Sequence, residues 1–559
     1  MGLSATKSAK FSLIAIALLC AGSALTAQQE KRAIAIPLPP MGWSSWNSFS
    51  NNISSDIAVA QAKAIVSTGM HKAGYQYINI DEGWWLGKRD DAGNILVDPK
   101  AWPALKPGEQ AGDMANIVRY IHSLGLKAGI YTDAGRDGCG TFFPDLGPGY
   151  PGEGSEGHYE QDFLQFAKWG FDYVKVDWCG GKKENLDPAV QYAEIARAIA
   201  KAVAVTGHPL YYSICEWGVD SPFTWAPNVG GAPADIWRTS GDIVAPIVAN
   251  TPNATRRADF KKMLSNFDQG VHPEAQHSGF YNDPDMMVIG MPGLTDQQNR
   301  VHMALWAISG APLLVGADLT TLTPATLATL TNPAVLAIDQ DPLGLQAVKV
   351  SGSPAGLEVW AKRLAAPADR AVLLLNRLDK DSSIAVDWSQ IGLTASSATV
   401  KDLFAGKSLG AFDHSYSTTV PAADAVLLLV HGTDQPMAHY HPAPPSASAA
   451  TLAGTKDQVF NLNAPLCQAG YVPLQIVYSN LLTSARYAEL RVNGQIATRI
   501  AFPPTGSAEA SVWIEAQLNK SDPASSGPAP APNVLTFSIP ATSELHIVSL
   551  SMPQPAACP

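Results

Sequence analysis

Short apolar segments alternate with amphipathic, alanine-rich segments from residue 33 to about residue 345. The apolar segments are rich in β-branched and aromatic residues, and the segments between them repeat their apolar residues at helical spacing. Eight strand–helix units in this length favour a (β/α)8 TIM barrel. The alternative is a doubly wound sheet, but no GxGxxG sequence opens a first helix, so the dinucleotide-binding fingerprint of that fold is missing.

The apolar and helical patterns give the bounds of the strands and helices of the predicted barrel. The predicted strands are Met41–Trp46, Tyr75–Asp81, Lys127–Asp133, Phe171–Asp177, Leu210–Cys215, Asp235–Thr239, Gly279–Asp283 and Pro312–Gly316. The predicted helices are Ile57–Thr68, Asp113–Leu124, Tyr159–Trp169, Ala189–Val205, Arg257–Phe267 and Thr295–Ser309.

Polar and aromatic residues cluster where the predicted strands end. The clusters are GWSSWN, DEGWW, YTDAG, KVDWCGG, SICEWG, WRTSGD and YNDPD. The C-terminal ends of all strands of a TIM barrel meet at one mouth, where active sites are built. Any one of these aspartates or glycines also suits a turn. Taken together, seven clusters that mix carboxylates and tryptophans predict instead a polar pocket with aromatic walls.

The sequence FDYVKVDWCGG at 171–181 is the cluster with the clearest chemistry. Side chains two apart on a strand point to the same face, so Lys175 and Asp177 are expected to project together. An ammonium group beside a carboxylate favours its ionised form, and an ionised carboxylate can act as a nucleophile. A strand-end salt bridge is the alternative interpretation of these two residues taken alone.

A pocket that hydrolyses a glycosidic bond needs two carboxyl groups, one as proton donor and one as nucleophile or base. Asp177 is the predicted nucleophile, and Lys175 is expected to lower its pKa. The donor must come from a different strand end. Asp242, four residues after Arg238 and beyond a Ser-Gly break, is the predicted donor, and Asp285 is its rival.

Composition argues against several other classes of function. The net charge of −11 and the pI near 5.5 disfavour nucleic acid or an anionic membrane as a partner, because both attract basic surfaces. The sequence has no CxxC or HExxH spacing, so no metal and no cofactor are predicted. No apolar run after the N-terminal one is long enough to span a bilayer.

The N-terminal segment predicts export. Lys7 and Lys10 precede an apolar run at 11–19, and small residues follow as far as Ala27, so residues 1–27 are typical of a secretory signal peptide. Cleavage is expected after Ala24 or Ala27, which gives a secreted or periplasmic protein. Export permits disulfides, and an odd number of cysteines beyond Cys20 leaves at least one thiol free.

Three regions follow the barrel, which is assigned to 33–345. Residues 346–432 predict an antiparallel β-sandwich, residues 433–450 predict a Pro-, Ala- and Ser-rich linker, and residues 451–559 predict a second β domain. The pairing of Cys467 and Cys558 in the last domain stays open. The predicted strands of the two β domains are Leu357–Ala361, Ala371–Asn376, Ala425–Val430, Leu474–Tyr478, Tyr487–Val492 and Ile496–Ala501, the last after a hairpin turn at Asn493-Gly494.

In order along the chain, these motifs resemble the retaining α-galactosidases of glycoside hydrolase family 27. The resemblance covers residues 38–432 and rests on MGWSSWNSF, DEGWW, YTDAG followed by Cys139, KVDWC, CEWG, RTSGDI and NDPDM. It implies removal of terminal galactosyl residues, with Asp177 as nucleophile and Asp242 as general acid/base. It also implies a disulfide between Cys139 and Cys179, which leaves Cys215 unpaired. The sugar pocket that it implies is lined by Trp46, Asp81, Glu82, Tyr131, Lys175, Cys215, Trp217, Arg238 and Asp285.

One position departs from the family pattern. Where the family usually has two aspartates and a cysteine, this chain has Asp81, Glu82 and Gly83. A longer acid at position 82 would extend into the space of the galactose hydroxymethyl group, so β-L-arabinopyranose, which lacks that group, is the alternative sugar. Backbone adjustment near Gly83 is a second way to accommodate the extra methylene.

The last domain resembles jelly-roll carbohydrate-binding modules of the family 6 and 35 type, in VYSN, RYAELRVNGQ and FPPTG. A purely structural β domain is the alternative. For the whole chain, the alternative of another class is a non-catalytic sugar-binding protein, which would keep the tryptophans but not both acids. The expected partners are galactose- or arabinopyranose-containing oligosaccharides and polysaccharides.

Overall fold

The first domain is a closed barrel of eight parallel strands that follow one another in chain order, with the last strand beside the first. A bridge between Met287 and Val315 closes the cylinder. The computed structural model describes residues 37–141, 154–227, 234–244, 256–444, 454–463, 466, 469–482, 485–521 and 532–554. The barrel strands are β1 Met41–Ser44, β2 Tyr77–Asn79, β3 Lys127–Asp133, β4 Tyr173–Asp177, β5 Tyr211–Cys215, β6 Ile236–Arg238, β7 Tyr281–Asp283 and β8 Leu313–Val315. The TIM barrel and its eight predicted strands are confirmed.

Helices follow most of the barrel strands, and their ends carry the expected caps. The Asp187 side chain accepts a hydrogen bond from the Val190 amide at the start of the helix Pro188–Thr206, and Thr295 and Gln298 form a capping box at the start of the helix Asp296–Ser309. The longer helices are α1 Ser55–Ser67, α2 Ala115–Ser123, α3 Tyr159–Trp169, α4 Pro188–Thr206, α5 Phe260–Gln269, α6 Asp296–Ser309, α7 Pro324–Leu330 and α8 Pro333–Asp339. The six predicted helices are confirmed.

Several short elements of the barrel domain were not predicted. They include α7, α8, the helices Trp46–Phe49 and Cys179–Lys183, and a hairpin formed by Trp85–Arg89 and Ile95–Val97 after β2. Each spans at most seven residues, which is too short for a helical or strand period to stand out in the sequence.

Side chains inside the barrel form layers, because residues two apart on a strand point the same way. Tyr77, Tyr173, Tyr211 and Tyr281 open their strands and belong to one buried cluster, in which the rings of Tyr173 and Tyr211 stack with centroids 5.7 Å apart. The next layer towards the C-terminal mouth holds Asn79, Lys175, Ser213 and Asp283, and the third holds Asp81, Asp177, Cys215 and Asp285. The tyrosines therefore fill the lower barrel, and the ionisable residues face the mouth.

The second domain is an antiparallel β-sandwich. Its six-stranded sheet has the order β9-β10-β11-β16-β13-β14, and β12 pairs with β15. Alternate residues of β11 face two cores: Val372 and Leu374 pack inside the sandwich, and Leu373 and Leu375 pack in the core of the barrel. The strands are β9 Val348–Gly352, β10 Leu357–Arg363, β11 Asp369–Asn376, β12 Ser382–Asp387, β13 Ser397–Asp402, β14 Lys407–Asp413, β15 Ser415–Val420 and β16 Asp424–His431.

The third domain consists of two four-stranded antiparallel sheets. Their orders are β17-β24-β19-β22 and β18-β23-β20-β21, which is the order of the eight-stranded jelly roll. The predicted jelly-roll-like fold is therefore confirmed. The strands are β17 Met437–Tyr440, β18 Thr455–Leu462, β19 Gly470–Asn480, β20 Arg486–Val492, β21 Gln495–Phe502, β22 Ala510–Leu518, β23 Asn533–Pro540 and β24 Leu545–Pro553.

The predicted linker differs from the structure. Within 433–450, the segment Met437–Tyr440 is the first strand of the jelly roll and pairs with β24, Met437 opposite Pro553 and Tyr440 opposite Leu550. The partner strand lies more than a hundred residues away in the sequence, so composition alone gave no sign of the pairing.

Several predictions concern residues outside the described ranges. They include the signal peptide at 1–27, Cys20, Cys467, Cys558 and the end of the predicted linker. In the described part of the chain, no helix combines the length and the apolar character needed to cross a membrane.

Candidate active site

The C-terminal ends of neighbouring barrel strands are aligned in register. Asp133 on β3, Asp177 on β4 and Cys215 on β5 are paired across the sheet, and Tyr131, Lys175 and Ser213 form the row beneath them. This register follows from the parallel pairing of three strands of five to seven residues. It brings together residues that lie more than eighty positions apart in the chain.

A cavity of about 650 Å³ opens at this mouth. It contains both predicted catalytic acids, both tryptophans and both half-cystines of the sequence prediction. The residues that line it are Trp46, Asp81, Glu82, Cys139, Lys175, Asp177, Cys179, Lys182, Lys183, Trp217, Gly241, Asp242 and Lys262. Its volume falls in the usual range for small-molecule sites.

Four predicted pocket residues do not line this cavity. Cys215, Arg238 and Asp285 surround a separate void of about 20 Å³ deeper in the barrel, which Asp81 and Lys175 also border. Tyr131 is 1% exposed and packs its ring 5.2 Å from the Lys175 ammonium group. These four residues therefore support the cavity wall from behind.

Asp177 lies at the end of β4 beside a buried cation. Lys175 Nζ is 2.9 Å from Asp81 Oδ2 and 3.6 Å from Asp177 Oδ2. Burial opposes the charge on Lys175, but Asp81 and Asp177 hold the pKa of this ammonium group well above its usual value. The Trp178 amide donates to Asp177 Oδ1 at 3.0 Å, so both carboxylate oxygens have a fixed neighbour.

The pKa of Asp177 is raised to about 6, although the sequence analysis expected Lys175 to lower it. Burial is the largest cause, since the residue is only 5% exposed. Lys175 does lower the pKa, but Asp242 and Asp81 raise it again. Lys175 thus acts in the expected direction, but the net pKa rises because a sequence shows a neighbouring charge and not the depth of burial.

Asp242 occupies a different environment on the loop after β6. Its side chain is 45% exposed, and Arg238 Nη2 contacts its Oδ1 at 3.3 Å. Arg238 also donates to the Ser240 carbonyl at 2.9 Å, which holds the first part of the loop. Asp242 is therefore open to solvent and tethered by one guanidinium group.

Asp285, the rival proton donor, is committed to structural contacts. Its carboxylate accepts hydrogen bonds from the Ile243 and Met286 amides, both at 2.7 Å, and lies 3.1 Å from Arg238 Nη1. The residue is 2% exposed and has a φ of 96°, a left-handed conformation that is strained for any residue other than glycine. Asp285 thus positions Arg238 and the loop of Asp242 and does not face the cavity.

Glu82 is buried in the cavity wall and held at one oxygen. Its Oε1 accepts a hydrogen bond from the Gly140 amide at 2.8 Å, and its Oε2 is buried with no hydrogen-bond partner in the described residues. Burial raises the pKa of Glu82 well above its usual value, and the charges of Asp177 and Asp81 add to this effect. A Cβ at Gly138 would lie 2.6 Å from Glu82 Oε1, so the glycine at position 138 leaves space for this oxygen.

Position 83 also requires glycine. Gly83 has a φ of 112°, and a Cβ there would lie 2.4 Å from the Asn51 carbonyl oxygen. At position 83, where the family usually has cysteine, the backbone of this chain therefore has a conformation that a larger residue would adopt only with strain.

Two tryptophans form the aromatic part of the cavity lining. Trp46 carries the guanidinium group of Arg256 over its ring at 5.0 Å, and Trp217 carries the Lys182 ammonium group at 5.7 Å. Arg256 is 6% exposed, and the sequence analysis did not select it because no motif surrounds it. Apolar ring faces beside polar groups suit a sugar, which presents both C–H faces and hydroxyl groups.

A disulfide joins Cys139 to Cys179, as the resemblance implied, and Cys215 is a free buried thiol. Asp133 holds the segment that carries this disulfide: its carboxylate accepts hydrogen bonds from the Gly135, Cys179 and Gly180 amides at 2.7, 2.7 and 3.1 Å. Burial and then the charge of Asp177 raise the pKa of Asp133 well above its usual value. The sequence analysis missed this residue as a member of the site, although YTDAG contains it.

The acids and sulfurs here also lie close enough for metal ligation. One atom from each of Asp133, Cys139, Asp177 and Cys179 lies within 4.8 Å of the others. The two sulfurs are bonded to each other, however, and a thiolate is the form of cysteine that ligates a metal. Two carboxylates remain, fewer than the three or four ligands of a typical zinc site.

Comparison with known families covers all three domains. The model described as Alpha galactosidase A matches residues 38–341, and the model of the alpha galactosidase C-terminal beta sandwich domain matches residues 354–430. Residues 465–538 match a model described as an alpha-galactosidase CBM13 domain. The last match differs from the predicted carbohydrate-binding type, which was family 6 or 35.

Individual proteins give a similar result. An alpha-galactosidase A of Cellvibrio japonicus is 40% identical over 63% of this chain and 79% of its own length, and an alpha-galactosidase of Oryza sativa is 37% identical over 68% and 82%. The crystal structure of alpha-galactosidase I from Mortierella vinacea superposes with a TM-score of 0.61 at 30% identity, covering 72% of this chain and 99% of that one. A β-L-arabinopyranosidase from Geobacillus stearothermophilus superposes with a TM-score of 0.59 at 21% identity, over 74% and 98% of the two chains, and shares the fold.

Proposed function

Since the chain belongs to the alpha-galactosidase family of glycoside hydrolases, we propose that it removes terminal α-D-galactosyl residues with retention of configuration. Asp177 acts as the nucleophile and Asp242 as the general acid/base. The observation that carries this proposal is that the two acids line one cavity, and each sits in a setting that suits its role.

The reaction proceeds in two displacements. In the first, a carboxylate oxygen of Asp177 attacks C1, and Asp242 gives its proton to the glycosidic oxygen, so the aglycone leaves as an alcohol. In the second, Asp242 takes a proton from water, and that water attacks C1 and breaks the bond to Asp177. The product is α-galactose, and both acids return to their starting protonation states.

Two features of Asp177 support the nucleophilic role. A pKa of about 6 leaves this carboxylate ionised near neutral pH, and its burial at 5% exposure removes the water that would otherwise solvate the attacking oxygen. Lys175, shared with Asp81, keeps the carboxylate oriented.

The exposure of Asp242 supports the proton-transfer role. A general acid/base must exchange its proton with solvent between the two steps, and the side chain is 45% exposed. Asp285 lacks this access, because its oxygens are taken up by amides and by Arg238.

The anchoring of Glu82 supports galactose as the sugar. The hydrogen bond from Gly140 and the space left by Gly138 hold the Glu82 carboxylate against the turn that carries Cys139. We infer that this anchoring leaves room in the cavity for a hydroxymethyl group beside the extra methylene. The Glu82 Oε2, which has no hydrogen-bond partner in the described residues, favours the second candidate, β-L-arabinopyranoside hydrolysis, because it is free to accept from a ring hydroxyl of a smaller sugar.

Kinetics on two substrates decide between the sugars. We expect kcat/KM for p-nitrophenyl α-D-galactopyranoside to exceed that for p-nitrophenyl β-L-arabinopyranoside by at least about tenfold. Glu82→Asp should lower galactoside kcat/KM by roughly threefold to tenfold, since the shorter side chain loses one hydrogen bond to Gly140. Glu216→Asp, at a fully buried glutamate outside the cavity lining, is the matched control. A preference for arabinoside that shifts toward galactoside in Glu82→Asp would establish the second candidate instead.

The proposal also includes export of the protein and sugar binding by the jelly roll. Export is supported by the charge and hydropathy pattern of residues 1–27 and by the disulfide between Cys139 and Cys179, because disulfides persist in oxidising compartments. N-terminal sequencing of the protein from its native host should begin after Ala24 or Ala27. An intact Met1 would contradict export by this route.

A further inference from the structure

A second cavity, of about 300 Å³, lies between the β-sandwich and the jelly roll. We call it the interface cavity. Strands β9, β10 and β11 and the turn at 389–392 border it on the sandwich side, and β19, β22 and the end of β24 border it on the jelly-roll side. It is distinct from the cavity at the barrel mouth, with which it shares no residue.

Glu515 on β22 lines the interface cavity, and one oxygen of its carboxyl group has no hydrogen-bond partner in the described residues. Ile514 and Ala516 on either side of it point into the jelly-roll core, so Glu515 points outward, yet it is only 3% exposed because the sandwich covers it. Its Oε2 is buried with no hydrogen-bond partner in the described residues. A buried polar group without a hydrogen-bond partner destabilises the fold, and a ligand or ordered solvent bound to this oxygen would offset that cost.

The neighbouring arginines are already committed to other groups. Arg370 donates to the Ile391 carbonyl at 2.6 Å, to the Gly392 carbonyl at 3.0 Å and to Asp434 at 2.6 Å. Arg363 donates to both oxygens of Asp434, at 3.2 and 3.0 Å, and its guanidinium group lies over the Trp513 ring at 4.6 Å. The two guanidinium groups would therefore repel a bound cation. Most of their N–H groups already donate to protein oxygens, so few of them remain to bind an anion.

The remaining polar atoms suit a neutral ligand. Burial raises the pKa of Glu515 to about 8, even though Arg370 and Arg363 lower it, so the carboxyl group is protonated at neutral pH and can both donate and accept. The Gln435 amide nitrogen donates to the Ser389 and Leu393 carbonyls, which leaves its oxygen as an acceptor toward other groups. Val348, Val472, Pro473 and Pro553 add apolar surface beside these groups.

We propose that the interface cavity binds one neutral pyranose residue of a glycan, with Glu515 as its main hydrogen-bonding group. A pyranose offers hydroxyl groups that both donate and accept, together with apolar C–H faces, and it carries no charge that the arginines or Glu515 would repel. A ligand held here contacts two domains, so its binding strengthens their docking.

The test measures how many sugar molecules the full-length chain binds and how tightly. Equilibrium dialysis with radiolabelled D-galactose, repeated with D-glucose, is compared for the wild type, Glu515→Leu and Glu515→Gln. For at least one sugar, we expect Glu515→Leu to bind one molecule fewer per chain, or to bind it at least tenfold more weakly. Glu515→Gln, which keeps a neutral donor and acceptor, should retain the site. Activity on p-nitrophenyl galactoside should stay within twofold in both variants, since Glu515 lies outside the catalytic cavity.

A second variant covers the case in which Glu515→Leu fails to fold. Ser389→Trp places a large side chain at an exposed position on the rim of the interface cavity and should block the same site. Equal binding of both sugars by the wild type and by these variants would overturn the proposal. Loss of inorganic phosphate binding in Glu515→Leu, without loss of sugar, would overturn the assignment to a neutral ligand.

Discussion

Two aspartates at the barrel mouth carry the same chemical group in opposite settings. Asp177 ends a strand of the barrel, is 5% exposed and lies between a backbone amide and the ammonium group of Lys175. Asp242 lies on the loop after β6, is 45% exposed and has one guanidinium contact. The barrel wall thus fixes one acid, and solvent reaches the other.

This difference supports the proposed roles of the two acids better than either residue does alone. Attack on C1 needs a rigid, desolvated and ionised oxygen, whereas proton transfer needs a group that exchanges with water. If the two acids were equivalent, their substitutions would have similar effects on every substrate. The contrast predicts that the effects differ in size, in dependence on the leaving group and in dependence on pH.

The largest expected effect is that of Asp177→Asn. Without the nucleophile, kcat/KM should fall on the order of 10⁴-fold for every galactoside, whatever its leaving group. Steady-state kinetics with p-nitrophenyl galactoside and raffinose measure this. Asp235→Asn, at an acid near the start of β6 and at the opposite end of the barrel, is the matched control and should retain activity. Comparable loss in both variants would mean that the barrel is damaged, not that a nucleophile is missing.

Asp242→Asn should have a smaller effect that depends on the leaving group. Proton donation typically contributes 10²- to 10⁴-fold, and an activated phenol needs little of it. We therefore expect a loss of about 10³-fold on raffinose and a much smaller loss in the first step on p-nitrophenyl galactoside, measured as the pre-steady-state burst. Asp220→Asn, at an exposed acid on the loop after β5, is the control. Equal losses on both substrates would contradict the assignment of Asp242.

The pH profile should show a limb set by Asp177. Activity requires the ionised carboxylate, so kcat/KM should rise as pH increases through about 6. Lys175 lowers this pKa and Asp242 raises it, so Lys175→Met should move the limb to higher pH and Asp242→Asn should move it to lower pH. Opposite shifts from two neighbours identify Asp177 as the titrating group. A limb that Asp242→Asn lowers but Lys175→Met leaves in place would point to Asp285, whose pKa is also raised to about 6 by burial and by Asp242.

The smallest effect is on stability. Burial raises the pKa of Asp177 from 3.8 to about 6, so the folded chain binds this proton more tightly than the unfolded chain does. The contribution to stability is present below about pH 4 and is lost as pH rises through about 6. At pH 7.5, Asp177→Asn should therefore raise the free energy of unfolding by about 2–3 kcal/mol, which calorimetry would show as a Tm about 5 °C higher. This gain should vanish near pH 4, and a gain independent of pH would contradict the electrostatic cause.

The pattern of apolar and polar residues along the chain predicted the barrel well. The strands were visible because each is an apolar run bounded by polar residues, as in Tyr173–Asp177, and the longer helices because their apolar period is clear. The C-terminal ends of such strands share one mouth, so Lys175, Asp177 and Asp242 were expected near one another before any geometry was known. Alternation and the turn at Asn493-Gly494 indicated a second β domain, and the resemblance to carbohydrate-binding modules implied its jelly-roll fold.

Burial and long-range contacts were beyond the reach of the sequence. The direction of the Asp177 pKa depends on how much water the barrel excludes, which no neighbouring residue reveals. The anchoring of Glu82 depends on an amide 58 positions away, and strand β17 depends on pairing with β24 at the other end of its domain. Asp133 was missed for the same reason, because its contacts with Cys179 and Gly180 form only in the folded chain.

Trapping the covalent intermediate tests the central claim most directly. A fluorinated α-galactosyl fluoride, whose second displacement is slow, should add one fluorogalactosyl group per chain in intact-mass spectrometry. Peptide mapping should place that group on Asp177, within residues 171–181. A label on any other residue, or the release of β-galactose first with no label at all, would contradict the account.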